Sequence, residues 1–264
     1  MLDAVFERYD IFLFVLVRMT GFVIFSPMFG RRNIPAMTKG AIAFVLALFA
    51  LMAIVSEPEL ADAQSAEMAN IVMFMILVVK EFVFGYLMGL VVNIFFSVIS
   101  IGGEIMDMQM GLGMSKIYDP ASNVQMPLTG NFYNVALMLL FFMTNSHVTL
   151  IGILITSFNI SPAGIISFHS DVGLFLMKMF GDIFILSLKL AFPIIAAEFI
   201  SETGVGVLMR AVPQINIFVV GLQLKIIAGL AVMIICAPAA VFFFDGVLAQ
   251  MNESALDALR VLAK

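Results

Sequence analysis

The chain has 264 residues, 62% of them hydrophobic and only 12% charged, with a formal net charge of −5 and a mean hydropathy of +1.12. Soluble domains carry about 25% charged residues, so this chain cannot cover its apolar surface by folding alone in water. Its charges form no basic stripe of the kind that nucleic acid requires, and none is expected as a partner. Cys236 is the single cysteine and lies inside the last apolar run, which excludes an intrachain disulfide and a cysteine metal cluster. What remains is a polytopic membrane protein, or a subunit packed mainly against other apolar subunits.

Six apolar segments follow in chain order: 11–29, 40–55, 70–101, 130–157, 172–200 and 215–248. Phe82 to Ile99 and Ile226 to Phe244 reach the roughly 18 apolar residues that cross a bilayer. All six are predicted helical, because irregular backbone exposed to lipid cannot satisfy its hydrogen bonds. The N-terminus, MLDAVFERYDIF, has acids where a secretory signal needs basic residues, so the first segment is expected in the mature protein. Arg31, Arg32 and Lys39 follow the first segment, and Glu57, Glu59, Asp62 and Glu67 follow the second. The positive-inside tendency makes the first of these loops cytoplasmic, with Lys116 and Arg210 on the same side.

Charges interrupt the oil. Lys80 and Glu81 lie in the third segment, and Lys178, Asp182, Lys189 and Glu198 in the fifth. Facing hydrocarbon unpaired, each would cost about 2.5 to 3.5 kcal/mol or more, so they must face protein or water. Three readings are open: an ion network between helices of neighbouring subunits, a proton or ion relay, or contacts with a passing substrate. Gly85 and Gly89 make a small-xxx-small pair suited to close helix approach or to a bend.

Between the third and fourth segments stands GGEIMDMQMGLGMSKIYDP, with Gly102, Gly103, Gly111 and Gly113 beside Met106, Met108, Met110 and Met114. As a helix it would present Met106, Met110 and Met114 as a packing stripe. As an irregular insert it would be a flexible and adaptable surface. Asp119 and Pro120 favour a turn at its end. A second polar cluster, Arg210, Gln214, Asn216 and Lys225, surrounds Pro213, which is expected to break the helix and free carbonyls for Gln214 or Asn216.

Phosphate-binding loops, paired zinc-binding histidines and nucleophile elbows are missing from the sequence, and His147 and His169 have no obvious ligand partners. Neither a cofactor, a metal nor an enzymatic activity is expected. Passage, assembly or scaffolding remain as functional classes, with a secondary transporter using Lys178, Asp182 and Glu198 as the alternative.

Three stretches narrow the field: RMTGFVIFSPMFGRRNIP, DPASNVQMPLTGNFYNV and GVLMRAVPQINIFVVGLQLKIIAG. With the order of segments, they resemble the FliR family of flagellar type III export apparatus proteins and its virulence-secretion relatives along nearly the whole chain. The matching string is RxxPQxNxF, here Arg210, Pro213, Gln214, Asn216 and Phe218, followed by Lys225. Gln223 stands where many relatives have a proline.

The resemblance implies an all-α subunit of tilted helical hairpins within a hetero-oligomeric export gate in the bacterial inner membrane, at the flagellar basal body. The implied partners are FliP-type and FliQ-type subunits, an FlhB-type switch protein and unfolded exported flagellar proteins. The implied division is a FliP-like part, 1–170, and a FliQ-like part, 171–264. The insert from Gly102 to Tyr118 matches a segment that plugs the conduit, with Asp119 and Pro120 marking the return to the wall.

Overall fold

The computed structural model describes residues 9–31, 33–55, 71–113, 127–164, 171–212 and 217–262. The described residues form seven helices: α1 Tyr9–Phe25, α2 Ala36–Val55, α3 Ile71–Gln109, α4 Leu128–Met143, α5 Ser146–Ile160, α6 Asp171–Ala211 and α7 Ile217–Leu262. The protein is an all-α polytopic membrane protein. Four helices, α2, α3, α6 and α7, are long and apolar enough to cross a membrane, and α4 with α5 would make a fifth span.

Four boundaries differ from the sequence expectation, the first being the end of the fifth segment, expected at 200 and found at Ala211. The third segment does not end near 101 but continues as helix to Gln109, through Gly102 and Gly103. The fourth divides at Thr144 and Asn145. Asn145 takes the left-handed conformation, φ 56°, which asparagine tolerates better than most residues, and its carbonyl accepts from Val148 to start α5. The last segment does not stop at 248. It runs helically to Leu262, so Arg260 sits on a helix, paired with Asp257. The stop expected at Pro213 agrees with the end of α6 at Ala211, since a proline disfavours helix in the residue before it.

The helices contribute to two packing units that interleave along the sequence. The first comprises residues 1–94, 145–178 and 250–264, and the second residues 95–144 and 179–249. Asp171, where a FliQ-like part was expected to begin, is the first residue of α6.

In the first unit, α1 and α3 approach to backbone contact. A Cβ on Gly85 would strike the Arg18 carbonyl, and one on Gly89 would lie 3.0 Å from the Phe22 carbonyl. This is the close approach that the small-xxx-small spacing predicts. Phe14, Val15, Met19, Phe84, Leu154 and Phe158 are buried there, and Asn93 Nδ2 donates to the Phe25 carbonyl at the end of α1. In the second unit the core is Phe95, Ile99, Leu137, Phe141, Ile194 and Phe244.

Large apolar side chains also point outward. Met177, Phe192 and Ile200 on α6, and Ile234, Ile235 and Phe242 on α7, are each at least two-thirds exposed. A surface this apolar is stable only against lipid or other apolar chains.

Candidate functional site

Two buried polar nodes stand out, one in each unit, and each assembles residues far apart in sequence. In the first unit Arg18, the one base inside α1, is fully buried. Its Nε donates to Glu81 Oε2 at 2.7 Å and its Nη2 to Glu81 Oε1 at 3.2 Å, a bidentate fork that lysine cannot reproduce. Nη1 donates to Ser157 Oγ at 2.9 Å, and Nη2 also to the Ser161 carbonyl at 3.1 Å. The guanidinium lies between the rings of Phe84 and Phe158, 4.4 and 4.1 Å from their centroids. Glu81 Oε1 further accepts from the Gly164 amide at 2.7 Å. The node therefore joins α1, α3, α5 and the residues after α5 with every polar group answered. A buried charge pair is tolerated only on those terms.

In the second unit the node is Asp107, within the methionine-rich stretch. Helix α4 begins at Leu128 behind Pro127, whose side chain offers no cap, so its first amides need acceptors from elsewhere. Asp107 supplies them. Oδ2 accepts from the Leu128 amide at 2.5 Å, and Oδ1 from the Thr129 amide at 3.2 Å and from the Thr129 hydroxyl. An anion at a helix N-terminus is also favoured by the helix dipole. One turn earlier, Gly103 meets Gly130 so closely that a Cβ on Gly103 would fall on the Gly130 backbone. Asp107 and Gly103 thus pin the last turns of α3 to the start of α4, forming a neck.

The remaining sequence-marked residues divide clearly. Gly102 packs on Ser187 and Leu190, and Met106 and Met110 are buried while Met108 is 71% exposed. From Gly102 to Gln109, then, the stretch expected as a flexible insert is helix. Glycine costs about 1 kcal/mol per residue in a helix, and contacts possible only without a Cβ offset it. Gly111, at φ +76°, ends the helix, and Gly113 lies in the turn that follows. Met114, Tyr118, Asp119 and Pro120 lie outside the described residues, as do Pro213, Gln214, Asn216 and the side chain of Phe218.

Glu81 and Glu198 are buried, Lys80 and Asp182 half-buried, and Lys178 and Lys189 exposed. No ion pair among the described residues joins Lys178, Asp182 and Lys189. Arg210 is exposed at the end of α6, and Lys225 pairs with Glu202 across α6 and α7. Sequence reasoning missed Arg18 and Asp107 as site residues. Their signal was a charge within an apolar run, the same one that marked Glu81. Among the described residues no cluster of three or more His, Cys, Asp or Glu could hold a metal.

Comparison with known proteins bears on what these nodes serve. The profile of bacterial export proteins, family 1, matches residues 9–251. The flagellar biosynthetic protein FliR of Bacillus subtilis is 31% identical over 238 residues, covering 89% of each chain. FliR of Escherichia coli is 27% identical over 257 residues, covering 96% of this chain and 94% of its own. The Yop proteins translocation protein T of Yersinia pestis is 29% identical over 204 residues, covering 75% and 74%. With a match across nearly its whole length, this chain belongs to the bacterial export proteins of family 1, the FliR family with its virulence-secretion relatives.

Proposed function

We propose that this chain is a non-enzymatic core subunit of the flagellar type III export gate, and that it lines and plugs the conduit for unfolded export substrates. The observation that carries this reading is the pinned neck. A segment that leaves a packed wall and returns to the same point, held by Asp107 on Leu128 and Thr129 and by Gly103 on Gly130, can project or withdraw without loosening the wall. The plug then begins after Met110, since the residues before it are helix. Its adaptable contacts come from Met114, Tyr118 and their neighbours, with Asp119 and Pro120 at the return. Methionine suits a seal that must close against ions and yield to side chains of many shapes.

The exposed apolar faces of α6 and α7, with Lys178 and Lys189 open on this chain, support assembly with FliP-type and FliQ-type subunits and an FlhB-type switch protein in the inner membrane at the flagellar basal body. Flagellar use is favoured over virulence use because FliR of Bacillus subtilis and of Escherichia coli cover 89% and 96% of the chain, against 75% for the Yersinia pestis protein. The division into a FliP-like part, 1–170, and a FliQ-like part, 171–264, belongs to the same proposal.

Deleting residues 114–122 tests the plug while sparing Asp107, Thr129 and both glycines. The expected outcome is normal abundance of a large hetero-oligomer together with leakage of ions or small solutes. An assembled, fully tight pore would refute the plug. A native particle the size of a monomer or small homo-oligomer would instead favour a solute transporter.

A further inference from the structure

Glu198, on α6, is 1% exposed, and among the described residues neither carboxyl oxygen meets a hydrogen-bond donor. The other buried acids, Glu81 and Asp107, are held by several donors each. Above Glu198 lies the bare backbone of α7 at Gly229. A Cβ there would come within 3.1 Å of Glu198 Oε1 and would overlap the Sδ and Cγ of Met110. The carboxyl and the Met110 side chain therefore both lie against Gly229, and Met110 is itself fully buried.

Among the described residues, the charged groups facing Glu198 are Glu202, one turn along α6, and Lys225, one turn before Gly229 on α7. These two are bound to each other. Asp107, on Met110's own segment, is committed to Leu128 and Thr129. A bare carboxylate in such a setting is costly. One positive charge would remove the cost, the nearby lysine is engaged with Glu202, and Met110 fills the space against Gly229 beside the carboxyl.

We propose that Glu198 is a proton-binding site covered by Met110, so that proton occupancy and the seating of Met110 stabilise each other. With Met110 seated, the carboxyl holds its proton. With Met110 lifted, water reaches the group, the O–H bond breaks, the proton passes to water and the carboxylate is solvated. The bearing of this site on gating rests on the reading that Met110 lies at the root of a plug, whereas the proton site does not.

The test is infrared spectroscopy of the purified native complex, read at the carbonyl stretch of a neutral carboxylic acid. The band should be present in the wild type and absent in Glu198→Gln, whose shape is conserved. Met110→Ala, which uncovers the carboxyl, should lower the band at least about twofold, and Met110→Leu should keep it. This pair retains the native Glu198, so the test stands even if Glu198→Gln fails to assemble. Identical wild-type and Glu198→Gln spectra would overturn the proposal. So would a band that appears only in Lys225→Gln, since Lys225 would then be what neutralises Glu198. Solute leakage through the Met110 variants reads the gating link separately.

Discussion

Replacing Glu81 by glutamine would change one atom type and strand one charge. The Arg18 guanidinium has no access to solvent and donates two of its hydrogen bonds to the Glu81 carboxylate. Glutamine keeps one acceptor but turns an NH2 group toward the guanidinium. Losing one member of a fully buried pair costs about 3 to 5 kcal/mol, or roughly two to three and a half orders of magnitude in the ratio of folded to unfolded chains at about 1.4 kcal/mol per decade. Total stabilities are only about 5 to 15 kcal/mol, so Glu81→Gln should lower membrane abundance of the subunit sharply.

The double replacement Arg18→Met with Glu81→Leu removes both charges and should recover most of that abundance. Recovery should be incomplete, because the Gly164 amide loses its acceptor and the Ser161 carbonyl its donor, at about 1 to 3 kcal/mol for a buried group left unanswered. Arg18→Lys should fall between, with the charge kept but the fork and the stacking on Phe84 and Phe158 lost. Quantitative immunoblots of membranes, paired with motility, measure all three. Wild-type abundance in Glu81→Gln, or a double variant scarcer than either single one, would refute the reasoning.

Asp107→Ala removes the acceptors for two amides of α4 and should destabilise the neck by about 1 to 2 kcal/mol, read as increased solute leakage with the complex still assembled; unchanged tightness would count against the neck. Gly103→Val forces apart the contact with Gly130 and should reduce assembly more than Gly113→Val, which meets open space, as measured by complex yield. Lys189→Ala should lower complex yield while leaving the abundance of the isolated subunit unchanged, because Lys189 makes no ion pair among the described residues. Equal losses of both would place its role inside the subunit.

Composition and local pattern were enough for the class of molecule. Long apolar runs with few charges can satisfy their backbone only as helices, and the positions of α2, α3, α6 and α7 follow from that requirement. The end of α6 was legible because proline acts on the residue before it, and the close crossing at Gly85 and Gly89 because small residues four apart share a helical face. The motif RxxPQxNxF was legible as a string, though its chemistry was not. What the sequence could not disclose was partnership across distance. Arg18 and Glu81 are 63 positions apart, and neither names the other. Asp107 reads as one acid among methionines until α4 begins beside it and needs acceptors that Pro127 does not provide. Gly102 and Gly103 look like breakers because helix propensity is local, yet they stay helical because tertiary contact with Leu190 and Gly130 outweighs a cost of about 1 kcal/mol each. Tertiary structure decided which charges are answered and which, like Glu198, are left waiting, because a buried group's energy depends on the donors that packing brings to it.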